Sequence, residues 1–150
     1  MIYLASDHAG LELKEVIKQF LKQQGILFED LGPFIYKRED DYPDFMIPAA
    51  QKVAENPDVH RGIIIGGSGQ GEAMVANKVK GIRATVYYGG SQDILTFSKI
   101  HNNANMLSLG ARFINPEEAK RAVKLWLSTP FPGEERHLRR IEKMKKFEND

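Results

Sequence analysis

The 150-residue chain is predicted to fold as one α/β domain, three-layered α/β/α and Rossmann-like, around a five-stranded, mainly parallel sheet. Three observations predict it. Short apolar runs alternate along the chain with longer amphipathic stretches. The run Ile63-Ile64-Ile65 has the density of a strand covered on both faces. No repeat, low-complexity tract or shift of composition marks a second domain within residues 1–150.

The elements follow in order. Residues 2–6 read as a buried strand. Residues 11–24 form a helix, because Leu13, Val16, Ile17, Phe20 and Leu21 recur at helical spacing, and Gly25 stops it. Residues 26–31 are a second strand. The loop 32–43 carries mixed charge and ends in Asp40-Asp41-Tyr42-Pro43. Residues 44–54 are helical, and Asn56-Pro57-Asp58 is a turn. The third strand, 62–65, runs into Gly66-Gly67-Ser68-Gly69-Gln70-Gly71-Glu72, and a helix is expected over 72–79. Residues 82–88 are a fourth strand, 92–100 a helix and 105–109 a short fifth strand. A helix over 116–127 opens with proline in its first turn. Pro130-Phe131-Pro132-Gly133 breaks the chain before a strongly charged final helix, 134–147.

Composition excludes several classes. A formal net charge of +1 supplies no global field for nucleic acid or an anionic membrane. The absence of cysteine excludes disulfides, a thiolate zinc site and a cysteine nucleophile. The segment Met1-Ile2-Tyr3-Leu4-Ala5-Ser6-Asp7-His8 reaches polar residues at once, unlike a secretory leader, and no apolar run approaches a membrane span. A cytoplasmic location is expected.

Parallel sheets place their sites beyond the carboxyl ends of the strands. Five polar regions are expected to converge there: Asp7-His8 after strand one, Asp41-Tyr42 after strand two, the glycine turn after strand three, His101-Asn102-Asn103 just before strand five, and Arg112 just after it. The glycine turn can enter positive φ and aim several N–H groups at an anion, ahead of a helix N-terminus of favourable dipole. It fits neither G-x-G-x-x-G, which would need glycine at Glu72, nor Walker A, which would need a terminal Gly-Lys-Ser/Thr. Glu72 is either a carboxylate that stabilises the helix dipole or a general base beside an oxyanion hole. Aldose–ketose isomerisation needs both of the latter.

The other clusters have plain alternatives. Asp7-His8 can cap the following helix, and His101-Asn102-Asn103 can be a polar loop. His60, at the amino end of strand three, reads as a surface residue. Trp126 packs in the core with Val123 and Leu127. Arg136 and Arg140 lie four apart on one helical face, where they can grip one phosphate, although charge runs are commonly solvated.

Taken together, Ser6-Asp7-His8-Ala9-Gly10, Asp41-Tyr42-Pro43, the turn 66–72, Ala76-Asn77-Lys78, Gly81-Ile82-Arg83-Ala84, His101-Asn102-Asn103-Ala104-Asn105 and Arg136-His137 with Arg140 resemble the type B ribose-5-phosphate isomerases. Galactose-6-phosphate and allose-6-phosphate isomerases belong to the same family. The resemblance runs from about residue 2 to 142. It implies ribose 5-phosphate–ribulose 5-phosphate isomerisation in the pentose phosphate pathway, through ring opening and an enediolate, with no metal and no cofactor. It implies a homodimer, or a dimer of such dimers, with shared sites and the segment 133–148 at the interface. Asp7 and His101 would open the furanose ring, with His101 crossing from the partner. Glu72 would move the proton between C2 and C1, and Ser68 would shuttle protons between the oxygens. Gly67, Gly69, Gln70 and Gly71 would hold the enediolate through main-chain N–H groups. His8, Arg112, Arg136 and Arg140 would bind the phosphate, and Tyr42 and Asn102 would line the sugar. Some members carry a cysteine base at the place of Gly66; this chain resembles those that use a glutamate at the place of Glu72. The loop 34–39 and the segment 87–92 match no assigned pattern, so other phosphorylated sugars, hexose or tetrose, stay open. So does a non-catalytic sugar-phosphate sensor on the same scaffold.

Overall fold

The computed structural model describes residues 1–150. The elements are β1 (Ile2–Ser6), α1 (Leu11–Gln23), β2 (Phe28–Asp30), α2 (Pro43–Ala54), β3 (Arg61–Gly66), α3 (Gln70–Ala76), β4 (Ala84–Tyr87), α4 (Asp93–Ile100), β5 (Met106–Gly110), α5 (Pro116–Ser128) and α6 (Glu135–Asn149). The five strands form one sheet in the order β2-β1-β3-β5-β4, and every neighbouring pair is parallel. The three-layer α/β expectation therefore holds, and the sheet is wholly rather than mainly parallel.

The pleat explains the isoleucine run. Ile63 and Ile65 face a cluster that takes Leu13, Ile17 and Leu21 from α1, Leu95 from α4 and Ala122, Val123 and Trp126 from α5. Ile64 faces the opposite cluster, with Met46, Ala49, Ala50 and Val53 from α2 and Ala76 from α3. All three are fully buried, which contributes roughly 1.5–3 kcal/mol per side chain.

Boundaries differ from the sequence reading where local chemistry intervenes. β2 loses Ile26 and Leu27, because the Ile26 N–H still donates to Leu21 O across the end of α1. α3 starts at Gln70, two residues before Glu72, because Gly69 adopts φ +77° and turns the chain into the helix. His60 is half-buried: its Nδ1 lies 3.1 Å from Lys52 O and its ring meets the Tyr3 ring. Trp126 is a core residue, and its Nε1–H donates to Ser98 Oγ at 3.2 Å.

One buried charge organises the approach to the site. Lys14 has a fully buried side chain that donates to Asp30 Oδ1 at 2.8 Å and to Pro33 O at 2.6 Å. Lys18 binds Asp30 Oδ2 at 2.8 Å, and the Gly32 N–H donates to Asp30 Oδ1. Asp30 thereby ties α1 to the start of the loop after β2. Asp30→Ala strands the Lys14 ammonium in the interior and is expected to cost about 3–5 kcal/mol, read as a lower denaturant midpoint at unchanged slope. A loss under 1 kcal/mol would mean that water or relaxation reaches Lys14.

The topology sets where a ligand can sit. From β1 the chain crosses to β2 on one side, and from β3 it crosses to β4 on the other. The neighbouring carboxyl ends of β1 and β3 therefore open the crevice in which such sheets bind ligands.

Candidate active site

Asp7 and His8 follow β1 at this crevice, and the glycine turn follows β3. Asp7 is buried, and its Oδ1 accepts the Gly10 N–H at 3.0 Å, which orders the turn before α1; the helix itself, with Gly10 as its N-cap, has no side-chain cap. Glu72, in the first turn of α3, is 4% exposed. Its carboxyl group lies over Gly66 so closely that a Cβ on residue 66 would overlap it. A cysteine at position 66 is thus incompatible with Glu72 where it stands. Burial pushes the Glu72 carboxyl above the ordinary carboxylate value, the adjacent Asp7 carboxyl adds to the rise, and Arg112 opposes it.

Around that carboxyl the turn offers donors. The main-chain N–H groups of Gly67, Ser68, Gly69 and Gly71 have no acceptor within the chain, while the Gln70 N–H is met by Ser68 Oγ at 3.3 Å. Gly69 at φ +77° needs glycine, and its carbonyl is fixed by a 2.6 Å bond from Ser108 Oγ. The Arg112 guanidinium lies over Gly67, where a Cβ would come within 3.0 Å of it. Tyr42, at the start of α2, lies over Gly71, where a Cβ would come within 2.7 Å of the ring. A buried carboxyl, open N–H groups, a guanidinium and a phenol therefore gather around one turn. The arrangement can hold an anion, move a proton and stabilise a developing oxyanion. No three histidine, aspartate or glutamate side chains lie close enough to hold a metal ion.

The expected convergence of five regions on one rim is corrected. Four meet there, and the fifth does not. His101 and Asn102 precede β5, so they enter at its amino end, across the sheet from Glu72. Arg83, just before β4, donates through Nε to Asn102 O at 2.9 Å and through a terminal nitrogen to Asn103 O at 3.0 Å, with Asn103 at φ +45°. The His101 ring stacks between Phe97 at 4.8 Å and His137 at 4.5 Å. His137 sits in the first turn of α6, and Arg136 and Arg140 beside it are exposed. Burial, the stacked His101 and Arg136 hold the His137 imidazole below its ordinary value. The candidate residues thus lie in two groups at opposite ends of the sheet: Asp7, His8, Tyr42, Ser68, Gly67 to Glu72 and Arg112 at one, and His101, Asn102, Arg136 and Arg140 at the other.

Three residues escaped the sequence reading. Asp40 binds His8, Arg83 pins the carbonyls beside His101, and His137 stacks on His101. Each acts across a distance in sequence that no spacing rule reports, although Arg83 lies in Gly81-Ile82-Arg83-Ala84 and His137 follows Arg136.

An open parallel sheet with a buried glutamate and a run of open N–H groups at its switch point defines a class of Rossmann-like α/β proteins with a candidate anion site there. Within that class, the chain belongs to the ribose/galactose isomerase family, whose model matches residues 2–144. It is 41% identical over 147 residues to ribose-5-phosphate isomerase B of Mycolicibacterium paratuberculosis, covering 98% of this chain and 91% of that one. A crystal structure of ribose-5-phosphate isomerase B from Mycoplasma genitalium with bound ribulose-5-phosphate superposes with a TM-score of 0.94, at 42% identity, over 99% of this chain and 96% of that one. The Clostridium thermocellum ribose-5-phosphate isomerase B structure gives 0.90 at 39% identity, over 99% and 97% of the two chains.

Proposed function

We propose that the chain is an aldose–ketose isomerase that interconverts D-ribose 5-phosphate and D-ribulose 5-phosphate, as a single-domain enzyme of the cytoplasm and the pentose phosphate pathway. The observation that carries it is the buried Glu72 carboxyl beside Asp7, against a turn whose N–H groups have no acceptor in the chain. Ionised Glu72 takes the proton from C2 of the open-chain aldose, the electron pair moves to the C1 oxygen, and the N–H groups of Gly67, Ser68, Gly69 and Gly71 hold the enediolate. Glu72 then returns the proton to C1. Ser68 passes the hydroxyl proton between the two oxygens. Gln70 contributes its main-chain position in the turn. Its N–H is engaged by Ser68 Oγ, so it serves the cradle only when that contact opens.

Ring opening needs a second acid or base, and His101 lies across the sheet from Asp7. A two-fold dimer joins the two: His101 and Asn102 of the partner subunit face Asp7 and Tyr42, and Arg136 and Arg140 of the partner subunit complete a phosphate site with His8 and Arg112. Apolar surface near the second group supports this. A cleft of about 910 Å³ between α6, α4 and β4 is lined by Ile82, Ile94, Phe97, Met144 and Phe147, and Phe97 and Phe147 are exposed. Residues 133–148 thereby take part in the interface.

The test is a coupled assay across ribose 5-phosphate, allose 6-phosphate, galactose 6-phosphate and erythrose 4-phosphate, with solvent-deuterium incorporation at C2 followed in parallel. Ribose 5-phosphate is expected to give the highest kcat/KM. A higher value for another sugar overturns the substrate assignment. Binding with neither turnover nor exchange for any of these sugars identifies a sensor instead.

A further inference from the structure

The pair His8–Asp40 is unexplained by folding alone. The Asp40 side chain is only 6% exposed, yet no lysine or arginine reaches it. Its one ionic partner is His8, with Nδ1 2.6 Å from Asp40 Oδ1, and the same oxygen takes the His8 main-chain N–H at 3.2 Å. Asp40 Oδ2 is buried without a partner. Burying a carboxylate this poorly compensated is unfavourable, so a purely structural role for position 40 would be better served by a neutral residue. The imidazole also meets the Tyr36 ring edge to face, at 5.9 Å between ring centres. Nε2 has no partner in the chain.

From this geometry we infer that Asp40 is a positioning residue for ligand binding. By accepting a hydrogen bond from Nδ1–H, Asp40 leaves Nε2 as the nitrogen of His8 free for a ligand. The neutral ring is the Nδ1–H tautomer with bare Nε2, and the charged ring presents an Nε2–H to a ligand oxygen. Asp40 also closes the loop after β2. Lys14 and Asp30 hold its beginning, at Pro33 and Gly32, and His8 holds its end, two residues before Tyr42. The loop that carries Tyr42 is therefore fastened to the histidine that meets the anion. This rests on the proposal that His8 binds the substrate phosphate.

The experiment compares wild type, Asp40→Ala, Asp40→Asn and the exposed neighbour Glu39→Gln. Inorganic phosphate serves as competitive inhibitor, and ¹⁵N-histidine spectra, assigned with His8→Asn, report the ring nitrogens. Asp40→Ala is expected to raise KM and the phosphate Ki together by roughly tenfold, the size of one charge-assisted hydrogen bond, with a smaller change in kcat. The neutral His8 ring is expected to shift population to the Nε2–H tautomer. Asp40→Asn keeps an acceptor and loses the charge, so it should show a smaller rise in Ki. Glu39→Gln should match wild type. An unchanged Ki and an unchanged His8 tautomer in Asp40→Ala overturn the inference. Should Asp40→Ala melt early, an unchanged Ki in Asp40→Asn overturns it. If wild type binds phosphate but does not isomerise ribose 5-phosphate, the functional assignment fails, and the phosphate and tautomer readings still decide the role of Asp40.

Discussion

A Glu72→Gln enzyme is expected to lose roughly 10²–10⁴-fold in kcat, the usual worth of a positioned general base, while the phosphate Ki stays within about twofold. The substitution keeps size and shape, so the Gly66 contact and the N–H cradle remain. Only the capacity to take the C2 proton is removed. The pH dependence follows from the same carboxyl. Burial first, and then Asp7, raise the Glu72 pKa. The base is active when ionised, so kcat/KM falls as pH drops, with its midpoint above the ordinary carboxylate range. Stability runs the other way. A carboxyl whose folded pKa is raised contributes most below its unfolded pKa, and that contribution is lost as pH rises through the folded value. At neutral pH Glu72→Gln should therefore melt at or above the wild-type temperature, and this advantage should vanish in acid. A variant that keeps most of its turnover, or melts well below wild type at pH 7, contradicts the assignment of Glu72 as a buried base.

What the sequence disclosed depended on how local the cause was. The strand Arg61–Gly66 and the turn after it were readable because an isoleucine run and a cluster of glycines act on their own backbone. Strand β2 is shorter than the apolar pattern of 26–31 suggests, since the fate of Ile26 depends on how α1 ends. The burial of Lys14 was invisible inside a helix whose apolar spacing was otherwise correct; it depends on Asp30, 16 residues on. The sequence points to His8 as a site residue but not to its partner, because Asp40 is 32 residues away in a loop of mixed charge. The placement of His101 is instructive in a different way. Its position before a strand was known, and in a parallel sheet a segment that precedes a strand enters at the amino end. Polarity and proximity to strand five suggested the shared rim, whereas chain direction alone puts His101 on the far side from Glu72.

That separation makes a second expectation with a large effect. Glu72 and His101 stand at opposite ends of one sheet, so if both serve one site, they come from different subunits. Glu72→Gln and His101→Asn should each be nearly inactive alone. In a hybrid dimer, one site inherits both defects, and the other combines the intact Glu72 of one subunit with the intact His101 of the other. When equal amounts are unfolded together and refolded, about half the dimers are hybrids with one working site of two, so roughly a quarter of the wild-type rate should return. Mixing Glu72→Gln with Glu72→Ala should restore nothing, because neither subunit carries the base. A monomer by light scattering at assay concentration, or no recovery from the first mixture despite dimers of normal size, would show that His101 acts outside the site of Glu72. The quarter-rate recovery separates a shared site from a merely stabilising interface. A stabilising interface could raise the activity of a weakened subunit, but it cannot supply a missing base.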